Sequence, residues 1–339
     1  MRVFQIETDW GFENLRLSTR PEPDPGPRDV VVAMRMASLN ARDLIVPLRG
    51  YGRATGTLPL IPISDGVGEV VATGAQVSRV RVGDRVCPTF CQGWIAGPPS
   101  PERLGSALGG PRDGVMADLM CLSEDGVVRV PEYLTDAEAA TLPCAALTAW
   151  SAVAEHAPVG PGDRVLVQGT GGVALFALAL ARLRGAHVTV ISSSDDRLER
   201  VRAMGADETL NYAQTPDWAR ATREMTADRG GYDVIVELGG AQTLPLSLRA
   251  VRPGGTIAMI GVLSGLELTA SLGPIVTRQV RLQGVTVGHR DGFEAMLAAM
   301  AQHQLRPVLG RSFGFEELPE ALAHLREGDR FGKTLIRFA

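Results

Sequence analysis

Lysine is almost missing from this chain: of the 34 lysines and arginines among 339 residues, only Lys333 is a lysine. The two residues are interchangeable as solvated surface charge, but not where a site needs a planar fork or a compact ammonium. Lys333 is therefore either a position that resisted arginine or a chance survivor. A basic excess is missing too. Thirty-eight acidic residues give a formal charge of −4, which excludes the basic footprint of a nucleic-acid or anionic-membrane binder. The four cysteines, Cys87, Cys91, Cys121 and Cys144, are too few for a disulfide framework and suit a reducing compartment. Long hydrophobic runs are absent as well: residues 173–183 form the longest, too short for a bilayer and interrupted by Arg182. Residues 1–15 mix Glu7, Asp9 and Glu13 among apolar side chains, unlike a secretory leader. The expectation is a cytoplasmic protein that acts on a small molecule, with no nucleic-acid or membrane partner.

What is present is 45% hydrophobic and 21% charged residues, enough for a sizeable core and two domains of ordinary size. Residues 1–124 are rich in Gly, Pro and Val, with short runs at 30–36 and 66–73 and turns such as Val82-Gly83-Asp84-Arg85-Val86, which predicts a β-rich domain. Beyond 124 the pattern changes. Helical stretches at 136–142 and 147–156 lead into strands predicted at 165–168, 187–191, 208–210, 233–237, 256–260 and 282–287. Helices are predicted between them at 173–184, 195–204, 216–227 and 242–251, the last weakened by Pro245. Near-continuous apolar strands alternating with helices predict an α/β fold with a doubly wound parallel sheet, a Rossmann domain over 125–308. A helix near 293–303 closes that domain. The segment 309–339, with a helix at 318–326 and a strand at 334–338, is expected to return and complete the first domain. The apolar strand 282–287 at the sheet edge is consistent with pairing into a homodimer.

The sharpest motif is Val165-Leu166-Val167-Gln168-Gly169-Thr170-Gly171-Gly172-Val173-Ala174, a strand running into a G-x-G-x-x-A turn that opens a helix. Glycines let the backbone turn tightly and approach a pyrophosphate, and the helix N-terminus offers free N–H groups and a positive dipole. With the strand before it and the helix and second strand after it in place, this is a dinucleotide-binding fingerprint, expected to use Gly169, Thr170, Gly171, Gly172 and Val173. The other reading is a glycine-rich turn that binds nothing. At the end of the second strand, where an acidic residue would hold the ribose of NAD, stand Ser192, Ser193 and Ser194, followed by Asp195, Asp196 and Arg197. Hydroxyls and a guanidinium suit a 2′-phosphate, so NADP(H) is preferred and NAD(H) remains open. Ser194 also fits as a helix N-cap with Arg197 solvated, a role compatible with phosphate binding. Tyr212 is placed to cover the adenine or to pack, and Gly261, after the strand at 256–260, is a further cofactor-contact position.

These motifs, together with Leu142-Pro143-Cys144-Ala145-Ala146-Leu147-Thr148-Ala149 and Gly332-Lys333 before the last strand, resemble the medium-chain dehydrogenase/reductase superfamily of zinc alcohol dehydrogenases and quinone oxidoreductases. The resemblance covers essentially the whole chain. Ile63-Ser64-Asp65-Gly66-Val67-Gly68-Glu69-Val70 and the glycine turn are similar to the branch of zinc-type alcohol dehydrogenase-like proteins. It implies a GroES-like catalytic domain, a Rossmann domain, nicotinamide in the cleft between them, and commonly a dimer. It also implies positions for a catalytic zinc, and these fall on Asn40, Ser64 and Cys144. Only Cys144 keeps a ligand type; Asp43 and Asp65 are the remaining carboxylates nearby, and no zinc is expected. Of the structural-zinc cysteines only Cys87 and Cys91 are present, read as packing or loop residues. None of His156, His187, His289, His303 and His324 sits in a ligand motif.

Without a Lewis acid, charge developing on a substrate oxygen needs hydrogen bonds or a fixed cation. The resemblance places Asn40 and Arg42 at the first zinc position and at the proton-relay hydroxyl. Arg42 either polarises a carbonyl or pairs with Asp43 or Asp65; as a permanent cation it is no general acid. Tyr51 either delivers a proton or lines the pocket, and Ser64 faces the same site. Cys144, Thr148 and Lys333 are expected at the nicotinamide end of the cofactor. The segment 90–114, with Trp94, either walls the substrate pocket or is a surface loop. The expected activity is zinc-independent hydride transfer between NADPH and a small carbonyl compound, quinone or activated alkene. The alternatives are a zinc-dependent alcohol dehydrogenase and a non-catalytic NADPH-binding protein of the quinone oxidoreductase type.

Overall fold

The computed structural model describes residues 1–265, 267–328 and 331–338. Its chain divides into two compact units, residues 1–147 with 287–339 and residues 148–286.

In the second unit six parallel strands among the described residues stand in the order Glu208–Asn211, His187–Ser192, Arg164–Gln168, Tyr232–Glu237, Val251–Met259 and Arg281–Gly284. Numbered along the chain this is 3-2-1-4-5-6, the doubly wound order, and the switch point lies between Arg164–Gln168 and Tyr232–Glu237. Val165, Leu166, Val167, Ile235 and Val236 are fully enclosed because helices cover both faces, which is why these strands lack polar alternation. Pro245 does not weaken its helix, Leu244–Ala250. It falls in the first turn, where its missing N–H has no intrahelical partner to lose. The edge strand is shorter than 282–287, since it stops at Gly284 and Val287 turns to φ 50°.

The first unit is built on a mixed sheet in the order Leu309–Gly314, Lys333–Arg337, Asp29–Ser38, Asp65–Thr73, Arg85–Pro88 and Val127–Arg129, with Leu119–Ser123 pairing to Asp29–Ser38. The tail does return: Phe313, Leu318 and Ile336 share one core with Val32, Val70 and Val86. The unit boundaries differ from the breaks at 124 and 308 that the sequence pattern suggests; Ala339, the end of the expected tail, lies outside the described residues. Residues 125–147 and 287–308 fall in the first unit and are tied to each other by particular polar contacts. Arg306 Nη1 bonds both oxygens of Glu138 at 2.9 and 2.7 Å, Tyr133 Oη donates to the Leu305 carbonyl at 2.9 Å, and Arg290 bonds Asp125 at 2.7 Å. No helix among the described residues is long and apolar enough to cross a membrane.

Candidate active site

In the second unit the glycine turn follows Arg164–Gln168 and opens the helix Gly172–Leu183. Gly169 has φ 79°, a conformation that a side chain would strain, and its Cβ position faces open space. Gly171 is the N-cap and carries no side-chain acceptor, so the first-turn N–H groups are left without the usual capping partner. That is the arrangement a pyrophosphate needs. Gly261 is needed for close approach: a Cβ there would stand 1.8 Å from the Leu238 carbonyl oxygen.

At the end of His187–Ser192, Ser192 is buried, Ser193 exposed, and Ser194 caps the helix Asp195–Ala203 by accepting from the Arg197 N–H at 3.4 Å. The capping role is thus real. The Asp195 carboxylate is held away by two amides, Asn211 Nδ2 at 2.8 Å and Gln214 Nε2 at 2.7 Å. The Arg197 guanidinium has no hydrogen bond or ion pair among the described residues, so a cation and hydroxyls are left facing solvent. Tyr212 is part-exposed beside them, its N–H donating to the Ser192 carbonyl at 3.0 Å. Thr148 is buried at the start of this unit.

Four residues in this unit carry no familiar signature in the sequence. Gln168, immediately before the glycine turn, and Glu237, at the end of the neighbouring strand, are joined with Thr243 and Ser247 in one buried network. An amide and an acid, each followed by glycines at the carboxyl end of a central strand, are the signal that was there to read.

The second cluster lies wholly in the first unit, where the ends of Lys333–Arg337, Asp29–Ser38 and Asp65–Thr73 converge. Leu335 pairs with Ser38, and Ser38 pairs with Asp65. Continuing that register sets Asn40 beside Lys333 and near Ser64. The Lys333 ammonium, 4% exposed, donates to the Leu39 carbonyl and to Asn40 Oδ1. Ser64 Oγ donates to Asp65 Oδ1 at 2.7 Å, and the Cys144 N–H donates to Asp65 Oδ2 at 3.1 Å. Ile63 reaches φ 69°, rare for a β-branched residue, and turns the chain into Ser64. Gly109 and Gly114 make room for it, since a Cβ at either would clash with the Ile63 backbone.

Burial governs the titrating groups here. It raises Asp65 above the ordinary carboxylate range, opposed first by the charge of Lys333. It pushes Asp43 up to about 6 against the pull of Arg42. It holds the Cys144 thiol protonated, with Asp65 adding to the effect, and raises the Tyr51 phenol, although 45% of that side chain is exposed. Asp43 Oδ2 accepts from the Asn40 N–H at 2.7 Å, while Asp43 Oδ1 and Asn40 Nδ2 are sealed in without a hydrogen-bond partner.

Arg42 makes no ion pair with Asp43 or Asp65 among the described residues. Its guanidinium instead clamps the carbonyls of Leu108 and Gly110 at 2.8 and 2.9 Å and lies over the Phe90 ring, 4.8 Å from its centroid. Cys87 and Cys91 are buried; the Cys87 Sγ donates to the Ala139 carbonyl at 3.3 Å, and burial pushes the Cys91 thiol up to about 12. His289 caps a helix by accepting from the Gly292 N–H at 2.8 Å and meets Trp94 edge-on. Trp94 and Ile95 receive backbone bonds from Arg290 and Asp291, so this part of the 90–114 segment is pinned to the first unit. No group of three or more His, Cys, Asp or Glu side chains among the described residues is arranged to hold a metal ion.

Comparison with known proteins places both units in one family. Residues 172–302 match the family described as zinc-binding dehydrogenase, and residues 26–132 match the alcohol dehydrogenase GroES-like domain. A zinc-type alcohol dehydrogenase-like protein of Schizosaccharomyces pombe is 38% identical over 335 residues, covering 96% of each chain. A solved protein of Sinorhizobium meliloti 1021, carrying a provisional alcohol dehydrogenase name, has a TM-score of 0.93 at 42% identity, over 99% of this chain and 98% of that one. An NAD-dependent alcohol dehydrogenase structure has a TM-score of 0.90 at 32% identity over 100% of both chains.

Proposed function

Because the chain belongs to the medium-chain dehydrogenase/reductase superfamily, whose members are NAD(P)-dependent oxidoreductases, we propose that it is a zinc-independent, NADPH-preferring reductase of small activated alkenes, quinones or carbonyl compounds. The observation that carries this reading is the cluster around Lys333. Zinc binds through thiolate, imidazole or carboxylate donors. Here one position is an amide whose oxygen is taken by an ammonium, one is a hydroxyl committed to Asp65, and only the third, Cys144, is of a zinc-ligand type. A buried ammonium beside these groups repels a second cation, so the donor set does not fit zinc.

Bound NADPH supplies the hydride. The first-turn N–H groups at Gly172 and Val173 hold its pyrophosphate, and Ser193, Ser194 and Arg197 hold its 2′-phosphate, for which Arg197 is free and Asp195 is already engaged. In the first unit, Asn40 and Arg42 are fixed by Lys333 and by the 108–110 carbonyls, and Tyr51 is the exposed phenol, kept protonated. With no strong electrophile at hand, the favoured acceptors are those whose product anion is delocalised, such as the enolate of an enone, which solvent protonates afterwards.

The test is NADPH oxidation against a panel of enones, quinones, aldehydes and ketones, with and without chelator. Activity that survives chelation supports the reading; activity lost on stripping, with about one zinc per chain by metal analysis, overturns it. Tight NADPH binding without turnover on any acceptor favours a non-catalytic binding protein. Arg197→Ala is expected to raise the KM for NADPH by about 10- to 100-fold while leaving NADH nearly unchanged. An equal change for both cofactors sinks the 2′-phosphate assignment.

A further inference from the structure

Gln168 and Glu237 close two neighbouring parallel strands at the same level, since Val165 pairs with Val234 and Val167 with Val236. They therefore meet at the switch point of the sheet, where the loops leaving the two strands diverge. Gln168 Nε2 donates to Glu237 Oε2 at 2.7 Å and to Ser247 Oγ at 2.9 Å, while Gln168 Oε1 accepts from the N–H groups of Leu238 and Gly239 at 3.2 Å. Glu237 Oε1 accepts from the Gly239 and Gly240 N–H groups at 2.9 and 3.1 Å and from Thr243 Oγ1; its Oε2 also takes the Ser247 hydroxyl. Both side chains are buried, 5% and 1% exposed, and every one of their polar atoms has a partner. A buried carboxyl met by five donors is a costly element to keep unless it fixes something.

What it fixes is a pair of loops. Gln168 immediately precedes Gly169, and Glu237 gathers the 238–243 backbone, which in turn packs against Gly261. Neither side chain is aimed outward. We propose that the Gln168–Glu237 couple is a positioning device that holds the glycine turn at 169–171 and the loop at 238–243 in register for the dinucleotide, so that cofactor affinity depends on two residues that do not touch the cofactor. This rests on the dinucleotide reading of the glycine turn.

The two side chains divide the roles of donor and acceptor between them, which makes an exchange possible. In Glu237→Gln a new NH₂ faces the donors around it, and in Gln168→Glu two carboxyls face each other. Each single variant is expected to weaken NADPH binding about tenfold or more, with kcat at saturating cofactor changing far less. In the double variant that combines the two substitutions, the carboxylate now at position 168 accepts from the Leu238 and Gly239 N–H groups and from the amide now at position 237, and the Ser247 hydroxyl reverses its direction. The double variant is expected to return to within about threefold of wild-type affinity, a recovery that a merely structural defect would not produce.

NADPH binding by titration, with thermal melting of each apo protein, reads all arms. If the single variants fail to fold, the folded double variant decides: near-wild-type affinity supports the couple, and lost affinity overturns it. Single variants that fold and bind like wild type also overturn it while leaving the cofactor reading intact. Wild-type protein that binds neither NADPH nor NADH overturns that reading, and the couple with it.

Discussion

Each unit holds a buried polar cluster at the ends of its strands, and these two are built on opposite terms. Around Glu237 every side-chain polar atom of the pair has found a partner, including three backbone N–H groups. Around Lys333, Asn40 Nδ2, Asp43 Oδ1 and the nearby Ser38 Oγ have none, and two carboxyls sit above their ordinary range because burial disfavours their charge. A satisfied network stiffens a scaffold, whereas orphaned polar atoms cost stability and are kept where something else requires them. The contrast separates a cluster whose polar atoms are all paired from one that leaves several of them unpaired.

The largest test of this contrast is Lys333→Met, which removes the buried ammonium that opposes the burial of Asp65 and, after Arg42, of Asp43. A loss of about 3–5 kcal/mol in urea unfolding is expected, since the carboxyls are left uncompensated. A loss below about 1 kcal/mol would mean that the ammonium does not hold the cluster together. Lys333→Arg distinguishes charge from shape: kinetics and stability equal to wild type would return the lone lysine to chance.

Asp43→Asn is expected to act in the opposite direction. Its folded-state value of about 6 lies above the unfolded one, so its contribution to stability is present below about pH 4 and lost as pH rises through 6. At pH 7 the wild type therefore carries a cost of up to about 3 kcal/mol that the amide avoids. The variant should be the more stable protein at pH 7, and the difference should shrink as the pH approaches 4. A variant less stable at pH 7 would show that Arg42, Lys333 and the Asn40 N–H more than offset the burial of the Asp43 charge.

Smaller effects are expected at the clamps. Arg42→Lys loses the fork on the Leu108 and Gly110 carbonyls and the stacking on Phe90, for about 1–2 kcal/mol of stability. In the satisfied cluster, Thr243→Val keeps the shape and removes one donor to Glu237, for about 1 kcal/mol. An effect at Thr243 as large as that at Lys333 would erase the distinction between the two clusters.

The second unit was readable from the sequence to the extent that its signals are local. The glycine turn, the apolar strands and the run of three serines each lie within a few consecutive residues, and the strand order follows from the alternation of strands and helices. The first unit was readable mainly through resemblance, which placed Asn40, Ser64 and Cys144 at the zinc positions; in the structure Lys333 bonds Asn40, and Asp65 bonds both Ser64 and the Cys144 N–H. What escaped were partners with no signature. The Arg42 clamp ends on two backbone carbonyls, and any residue provides a carbonyl. Gln168 and Glu237 are 69 residues apart, joined by a register that only the folded sheet creates. The unit boundaries escaped because segments with the rhythm of the second unit are tied to each other by Arg306 and Arg290, and to the first unit by Arg79 and Arg85.

The burial of Lys333 also gives the protein a built-in reporter. No other lysine exists in the chain, so no ε-amino group stands on the surface of the folded molecule. An amine-reactive reagent reaches this side chain only when the cluster around it opens. The labelling rate of a single peptide, followed by mass spectrometry, therefore clocks the opening of this site alone, and a ligand that closes the site should slow that clock.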